Sequence, residues 1–322
     1  MAHRAAVSIG GVLSAHETPT SGYAIVENSQ RIFVTGITGY IGGSVAVRLK
    51  ERGYPVWGLA RRDTDIEALK ALDIQAVKGS LQDIDVLEEA FASSGAIIHT
   101  ADSDDPQVVE NCLSLLNGTG KTFIHTSGSG IVANWDRPET AHFVYTEDFP
   151  LETDAPLGQR VLINNRILRS ALQGIRSIVI VPGMVYGTGL LLRRESMQVP
   201  LLVRTAKERG TAVYVGNGEQ HWSNVHVEDL ADLYVAALEK ARPGSCFFAE
   251  NGLASFREIA EAIQKKLHLG GKPVSLSPDE AAACWGDMMA TVALGSDCRV
   301  NADKARLFLE WKPRHSSILP FI

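Results

Sequence analysis

Three glycines spaced three residues apart follow a short apolar run and begin a segment with helical spacing. The run covers residues 31–35, and the glycines are Gly36, Gly39 and Gly42. In such a loop the first glycine allows a tight turn, the second lets the backbone approach a pyrophosphate, and the third brings the helix close to the sheet. The helix N-terminus then attracts phosphate. The pattern predicts a dinucleotide-binding strand, loop and helix; the alternative is a structural turn without a ligand.

A second apolar run, residues 54–60, ends at Arg61 and Arg62. A site that prefers NAD carries an Asp or Glu here to hold the ribose 2′-hydroxyl, whereas arginines suit a 2′-phosphate. We therefore predict NADP (NADPH) as the cofactor, with NAD less favoured. The alternative is a solvated basic surface.

Apolar runs alternate with amphipathic segments over the first two thirds of the chain. Further apolar runs lie at residues 95–100, 121–127 and 175–181, and helical spacing is found at 40–52, 81–94, 106–116 and 160–172. Strands that are apolar on both faces are typical of a parallel sheet covered by helices. The sequence predicts an α/β fold, a Rossmann-like doubly wound parallel sheet with a small C-terminal substrate lobe.

The division of the chain follows from a change of pattern after residue 185. We expect residues 1–30 to be a weakly ordered extension and residues 31–185 to form the NADP-binding Rossmann domain, to which 223–250 return. Residues 186–322 are expected to form the substrate-binding lobe. Helices are predicted at 225–240, begun or capped by Asp229, and at 256–267; residues 277–322 show no clear period.

Composition excludes several classes of protein. The 322 residues are 45% hydrophobic and carry a net charge of −6, which disfavours nucleic acid as a partner because phosphate binding needs a basic face. No apolar run approaches the length of a membrane helix, and residues 1–30 lack the order of a secretory signal, so a cytoplasmic protein is expected. The four cysteines show no C-x-x-C spacing, and no metal site is predicted.

Several motifs together resemble the extended or atypical short-chain dehydrogenase/reductases, of the NAD-dependent epimerase/dehydratase type. They are the glycine loop, G-S-L-Q-D at 79–83, H-T-A at 99–101, T-S-G-S at 126–129, P-G-M-V-Y-G at 182–187 and N-V-H-V-E-D-L at 224–230. Together with the glycine loop and the arginine pair, the resemblance implies cofactor contacts from Gly36, Thr38, Gly39, Tyr40, Ile41, Gly42, Arg61, Arg62, Asp83, Thr100, Ala101, Thr126, Pro182, Met184 and Val185.

One departure from the family pattern concerns the catalytic pair Tyr-x-x-x-Lys. The tyrosine exchanges a proton with the substrate oxygen, and the lysine lowers its pKa. No tyrosine here is followed four residues later by lysine, and the expected positions fall near Gly158 and Leu162. The chain is therefore most similar to the atypical subgroup that keeps the cofactor loop and lacks the pair.

Four residues are candidates for the chemistry. Ser127 matches the family's active-site serine and follows a buried strand, where its hydroxyl can bind a substrate carbonyl; the alternative is a serine turn. Tyr145, in a long loop with Trp135 and His142, or Tyr186 could supply the proton; otherwise each is a packing aromatic. Arg160 could orient an anionic group or be a helix-face charge.

These observations favour an NADP-dependent oxidoreductase that passes hydride between nicotinamide C4 and a small, largely apolar carbonyl or alcohol. Ser127 would position the substrate oxygen. Two alternatives stay open: a non-redox epimerase/dehydratase, isomerase or cyclase on the same fold, and a non-catalytic sensor of the NADP redox state. The resemblance also implies a possible homodimer.

Overall fold

The computed structural model describes residues 26–27, 29–134, 142–151, 153 and 156–322. Nearly all of the predicted extension at 1–30, and the loop residue Trp135, lie outside the described residues. In chain order the described strands are β1 (Ile32–Thr35), β2 (Val56–Ala60), β3 (Gln75–Lys78), β4 (Ala96–His99), β5 (Thr122–Thr126), β6 (Val144–Tyr145), β7 (Arg176–Pro182), β8 (Met184–Tyr186), β9 (Val213–Val215), β10 (His221–His226), β11 (Ser245–Ala249), β12 (Leu253–Ser255), β13 (Val274–Leu276) and β14 (Arg299–Val300).

The helices alternate with these strands. The α-helices are α1 (Tyr40–Glu51), α2 (Asp63–Ala71), α3 (Ile84–Ala92), α4 (Pro106–Leu116), α5 (Gly158–Arg169), α6 (Gln198–Arg209), α7 (Val227–Lys240), α8 (Phe256–Lys266), α9 (Pro278–Trp285) and α10 (Asp303–Leu309). Short 3₁₀ helices cover Ser129–Val132, Ser170–Gln173 and Leu319–Phe321, and a π-helical turn covers Met289–Ala293.

Seven strands form the central sheet in the order β3-β2-β1-β4-β5-β7-β11, and every neighbouring pair is parallel. The order reverses between β1 and β4, because the chain builds the sheet first in one direction and then in the other. Ligands of doubly wound sheets bind at such a switch point, outside the carboxyl ends of the strands. The predicted Rossmann-like fold is confirmed.

Helices cover both faces of this sheet, and their apolar stripes explain the continuous apolar strands. On one face α1 packs against α7, with Val45 and Leu49 in a core cluster that contains β1 residue Ile32. On the other face α4 buries Val109 in a second cluster with Phe123 of β5. Because both faces of β1, β4 and β5 are buried, their sequences are mostly apolar and do not alternate between apolar and polar residues.

Smaller sheets lie outside the central one: β8-β10-β12, β9-β13 and β6-β14. The helix predicted at 225–240 starts two residues later, because Val225 and His226 pair with β8 as the end of β10. His226 caps α7 through its ring, which accepts the N–H of Glu228. Asp229 does not cap the helix, since its buried carboxylate accepts from the backbone and ring of His315.

Candidate active site

A cleft of about 1100 Å³ opens at the carboxyl ends of the central strands, above the switch point. The glycine loop forms its floor, the ends of β2 and β4 form one side, and residues following β5 and β7 form the other. Segments from the smaller sheets close it from above. Of the predicted site residues, those that line the cleft are Gly36, Thr38, Gly39, Tyr40, Ile41, Gly42, Arg61, Arg62, Thr100, Ala101, Ser127, Arg160, Pro182 and Val185.

The glycine loop leaves no room for side chains where it meets the end of β4. Gly36 has a φ of +74°, and a β-carbon on it would lie 2.7 Å from Oγ1 of Thr100. A β-carbon on Gly42 would lie 2.8 Å from the carbonyl carbon of Gly36. Thr100 is itself fixed, because its hydroxyl donates to the carbonyl of Thr35 at 2.7 Å. The loop thus has the close backbone approach that a pyrophosphate requires.

The N-terminus of α1 is open to an anion. Its N-cap, Gly39, provides no side-chain cap, and the first turn contains no acidic residue. The N–H groups of Tyr40, Ile41 and Gly42 make no hydrogen bond to any residue that the structure describes. Helices α4, α8 and α9, in contrast, are each capped by a side chain. The free N–H groups and the helix dipole fit a dinucleotide phosphate.

The two arginines after β2 differ in their surroundings. Arg62 holds Asp65 in a bidentate pair, with Nε and Nη2 at 2.8 and 2.9 Å from the two carboxylate oxygens. Arg61 lines the cleft and makes no hydrogen bond or ion pair with a residue in the described ranges. Asp65 also lines the cleft, so a carboxylate is present at this edge but is engaged by Arg62.

Asp83 does not line the cleft. Its carboxylate accepts from the backbone N–H of Ser80 at 2.7 Å and from the Ser80 hydroxyl at 2.9 Å, and these bonds lower the pKa of Asp83. Residues 79–82 reach the cleft instead. The prediction of a direct contact is therefore corrected: Asp83 holds the shape of the turn whose residues reach the cleft.

Ser127 and Arg160 meet at the other end of the cleft. The Ser127 hydroxyl accepts a hydrogen bond from Nδ2 of Asn164, on α5, at 2.9 Å. Nε and Nη2 of Arg160 donate to the carboxylate of Asp104 at 2.7 and 2.5 Å. Nη1 faces the loop, since a β-carbon on Gly128 would lie 3.1 Å away from it. Arg160 therefore brings a positive charge to the cleft that is partly neutralised by Asp104.

Three more predicted site residues, Met184, Tyr186 and Thr126, lie outside the cleft because successive side chains of a strand point to opposite faces. In β8, Val185 lines the cleft, whereas Met184 and Tyr186 are buried. The hydroxyl of Tyr186 donates to the carbonyl of His315 at 3.3 Å, and burial raises its pKa. The predictions that Tyr186 acts on substrate and that Met184 contacts cofactor are corrected accordingly.

The same alternation separates Thr126 from Ser127. The Thr126 hydroxyl lies 2.6 Å from that of Tyr234, in the core on the α7 side. Tyr145, in β6, packs edge-on against Phe143 and Phe149 at centroid distances of 4.7 and 5.0 Å. It does not line the cleft, so its predicted contact with substrate is also corrected.

The candidate residues named from the sequence include none of the apolar wall of the cleft. The wall comes from separate segments: Leu157, Met197, Trp222, Met288, Met289, Val292 and Ala293. Only the pair Met288-Met289 gives a local signal, since adaptable methionines often line binding surfaces. Leu157 precedes Gly158, near the position predicted for the family's tyrosine. An apolar side chain therefore faces the cleft there.

Two features are absent from the residues that the structure describes. Within them no group of three or more His, Cys, Asp or Glu side chains is arranged to hold a metal ion. Within them, too, no helix combines the length and apolarity needed to span a membrane.

Comparison with known proteins places this cleft among enzymes that bind nicotinamide dinucleotides. The model of the NAD dependent epimerase/dehydratase family matches residues 32–247. An uncharacterised protein of Schizosaccharomyces pombe is 32% identical, over 90% of this chain and 97% of its own. The 4-hydroxy-2-methyl-3-oxo-4-farnesyl-3,4-dihydroquinoline-1-oxide ketoreductase of Stigmatella aurantiaca is 24% identical, over 88% and 92% of the two chains.

Solved structures share the fold of this chain. The dTDP-glucose 4,6-dehydratase of Bacillus anthracis, solved in complex with NAD, superposes with a TM-score of 0.72 at 17% identity. The match covers 91% of this chain and 95% of the dehydratase. At this identity the likeness concerns the fold, and it agrees with the seven-stranded parallel sheet.

Proposed function

Because the chain belongs to the NAD dependent epimerase/dehydratase family, and is thus an enzyme of the oxidoreductase or epimerase type, we propose that it is an NADP-dependent oxidoreductase. Its substrate would be a small, largely apolar carbonyl compound or the corresponding alcohol. The observation that carries the proposal is the cleft itself: it combines a glycine loop of the dinucleotide-binding type, an apolar wall and the buried hydroxyl of Ser127.

The preference for NADP rests on the edge of the cleft after β2. Arg61 offers an uncommitted guanidinium, and Arg62 offers a second that is shared with Asp65. A 2′-phosphate is recognised well by such planar donors. The carboxylate that would bind a ribose 2′-hydroxyl in an NAD site is already occupied by Arg62, which lowers its value as an acceptor. The charge balance therefore favours the phosphorylated cofactor.

The proposal of an apolar substrate rests on the apolar side chains of this wall, which stand beside the polar Arg193, Glu195, Ser196 and Gln198. Three of its side chains are methionines, Met197, Met288 and Met289, and Trp222 lies deep behind them. Such a surface binds apolar groups and adapts to their shape. Of the two sequence relatives described above, the protein of Stigmatella aurantiaca is a ketoreductase named for a farnesyl-bearing substrate, which is consistent with an apolar carbonyl here.

The residues of the glycine loop and Arg61 would hold the dinucleotide, which when bound in its reduced form would supply the hydride that turns a carbonyl into an alcohol, with a proton added to the oxygen. Ser127 would hold the oxygen, since it lies at the end of β5 where the two halves of the cleft meet. Arg160 would add positive charge near that oxygen, attenuated by Asp104. Leu157 offers no proton, so the proton would come from water reaching the open cleft.

A non-redox isomerase or dehydratase is the second candidate. It is favoured by one observation, the apolar Leu157 near the position of the family's tyrosine. Such an enzyme would bind the same cofactor but show no net oxidation of it.

The first experiment is a fluorescence titration with NADPH and NADH. We expect Arg61→Ala/Arg62→Ala to weaken NADPH binding roughly 10- to 150-fold, since a charge-assisted hydrogen bond contributes about 1.5–3 kcal/mol. NADH binding should change little. Arg52→Ala is the control, because Arg52 is an exposed arginine at the opposite end of α1.

Turnover is then followed by NADPH absorbance with a panel of aryl and alkyl ketones. Consumption of NADPH would support the oxidoreductase, and tight binding without consumption by any ketone would favour the second candidate. Failure of both nucleotides to bind would refute the proposal.

A further inference from the structure

We propose that Asn164 is a positioning residue that fixes the Ser127 hydroxyl as a hydrogen-bond donor toward the substrate oxygen. The inference rests on the proposed function, because it assigns a direction to the hydrogen bond that Ser127 makes there. Asn164 lies on α5 and was not among the residues that the sequence indicated. Its role follows from the donors and acceptors around Ser127.

Both partners are buried and held. Ser127 is 7% exposed, and its backbone N–H donates to the carbonyl of Ile180 at 2.8 Å, which ties the residue to β7. Asn164 is 4% exposed, and its Nδ2 lies 2.9 Å from the Ser127 hydroxyl oxygen. The bond therefore joins two side chains that are largely withdrawn from solvent, with Ser127 at the edge of the cleft.

The amide group determines the direction of the bond. An NH₂ group can only donate, so the Ser127 oxygen is the acceptor and its own proton must point elsewhere. In the observed orientation Nδ2 of Asn164 faces Ser127, and Oδ1 is buried without a partner among the described residues. If the amide were rotated by half a turn, Oδ1 would face Ser127, and the NH₂ group would be the one buried without a partner. An orphaned donor is rarer in folded proteins than an under-used carbonyl oxygen. The observed orientation is therefore the favoured one.

The cleft is the direction left for the Ser127 proton. The hydroxyls of Thr100 and Tyr40, which also line the cleft, donate to the carbonyls of Thr35 at 2.7 Å and Gly187 at 2.9 Å, and neither makes a hydrogen bond with Ser127 in the described part of the chain. For Ser127 no acceptor is found among the residues that the structure describes. Asn164 thus selects a donor state of Ser127, which is what a substrate carbonyl or alkoxide oxygen needs.

The direct test is neutron diffraction of the unmodified protein after exchange into D₂O. We expect deuterons on Asn164 Nδ2 aimed at Ser127, and a deuteron on the Ser127 hydroxyl aimed into the cleft. A Ser127 deuteron aimed at Asn164 Oδ1 would overturn the proposal. This measurement needs neither substrate nor cofactor, so its outcome is independent of whether the proposed function holds.

The functional test compares Asn164→Asp with Asn164→Leu and Ser127→Ala, using NADPH oxidation by acetophenone as the apolar ketone probe. A carboxylate at 164 would accept the Ser127 proton and reverse the bond, whereas a protonated carboxyl can donate as the amide does. We expect the ratio of Asn164→Asp to wild-type kcat to rise as pH falls. We expect Ser127→Ala to lose roughly 100-fold in kcat at every pH, and Asn164→Leu to show no pH-dependent recovery.

The titratable groups around this part of α5 are Arg160, Asp104 and the buried His125 of β5, and all three are unchanged in the variants. Taking the ratio to wild type cancels their titration and that of the reaction itself. NADPH binding and the melting temperature serve as controls for folding. A ratio independent of pH, in a folded variant that binds NADPH, would contradict the positioning role. Absence of wild-type turnover with any ketone would refute the proposed function and leave the neutron result to decide the positioning.

Discussion

The replacement Gly42→Ala tests whether the glycine loop needs its glycines so that its backbone can come close to a bound pyrophosphate. The added β-carbon would lie 2.8 Å from the carbonyl carbon of Gly36 and would also press on Oγ1 of Thr100. Ordinary contact begins at 3.4 Å, so the loop must open by at least about 0.6 Å, the difference between these distances. Backbone atoms cannot rotate away as a flexible side chain would.

The expected effect on stability is small, and the expected effect on binding is large. Overpacking costs about 1–3 kcal/mol, while alanine in place of glycine inside a helix recovers about 1 kcal/mol, so the free energy of unfolding should fall by about 0–2 kcal/mol. Displacing the loop changes the three free N–H groups at the start of α1. Loss of one charge-assisted hydrogen bond, about 1.5–3 kcal/mol, would weaken NADPH binding roughly 10- to 150-fold.

The assay is thermal unfolding with and without NADPH, since a ligand at 100 times its Kd stabilises the folded state by about 2.7 kcal/mol. The matched control is Gly270→Ala, where a β-carbon would have no atom within 4 Å. Wild type and Gly270→Ala should gain the same increase in melting temperature from NADPH, and Gly42→Ala should gain much less at the same concentration. An equal increase in all three proteins would refute the argument about close approach.

Three further predictions concern other parts of the molecule. Arg176→Met should lower the free energy of unfolding by about 3–5 kcal/mol in urea titrations, because the buried guanidinium donates to three carbonyls at the end of α7; an exposed-arginine change such as Arg52→Ala should cost far less. Burial, and to a smaller extent the neighbouring His315, lowers the pKa of His226 to about 4. Between pH 6.5 and 4 the unfolded chain binds a proton at this histidine and the folded chain does not, so the free energy of unfolding should fall as the pH drops through this range. The variant His226→Asn keeps a helix cap and should weaken this pH dependence of thermal stability. Asp65→Asn should release Arg62 and lower the Kd for NADPH in fluorescence titrations; an unchanged Kd would mean that Arg62 does not reach the cofactor.

The parts of the fold that could be predicted are those determined locally. The run before Gly36 is apolar on both faces because β1 lies inside the sheet, and the glycine spacing reflects contacts within a few residues of the loop and with the end of β4. Arg61 follows β2 directly, so its place at the cleft is determined by the length of one strand. These features need no knowledge of how distant segments pack.

The tyrosines could not be placed in the same way. Whether Tyr186 or Val185 faces the cleft depends on the register of β8 against β10, and a shift of one residue exchanges the two faces. Tyr145 lies on a two-residue strand whose partner, β14, is more than 150 residues away in the chain. The helix expected from residue 225 was displaced for a related reason, because pairing with β8 outweighs helical propensity at its first two positions.

The two halves of the cleft differ in how far they keep the family's pattern, and the difference bears on mechanism. The half that meets a dinucleotide is restricted by backbone contacts at Gly36 and Gly42, where any side chain would collide. The half that meets the substrate is built from side chains, so its chemistry can change without disturbing the sheet. Leu157, next to the position predicted for the family's tyrosine, would be such a change, and Ser127 with its partner Asn164 is a buried polar group that can face a substrate oxygen. If that pair acts as a donor, hydride transfer needs only water to complete it. The rate of an enzyme of this kind should therefore depend on the access of water to the cleft more than on the pKa of a protein acid.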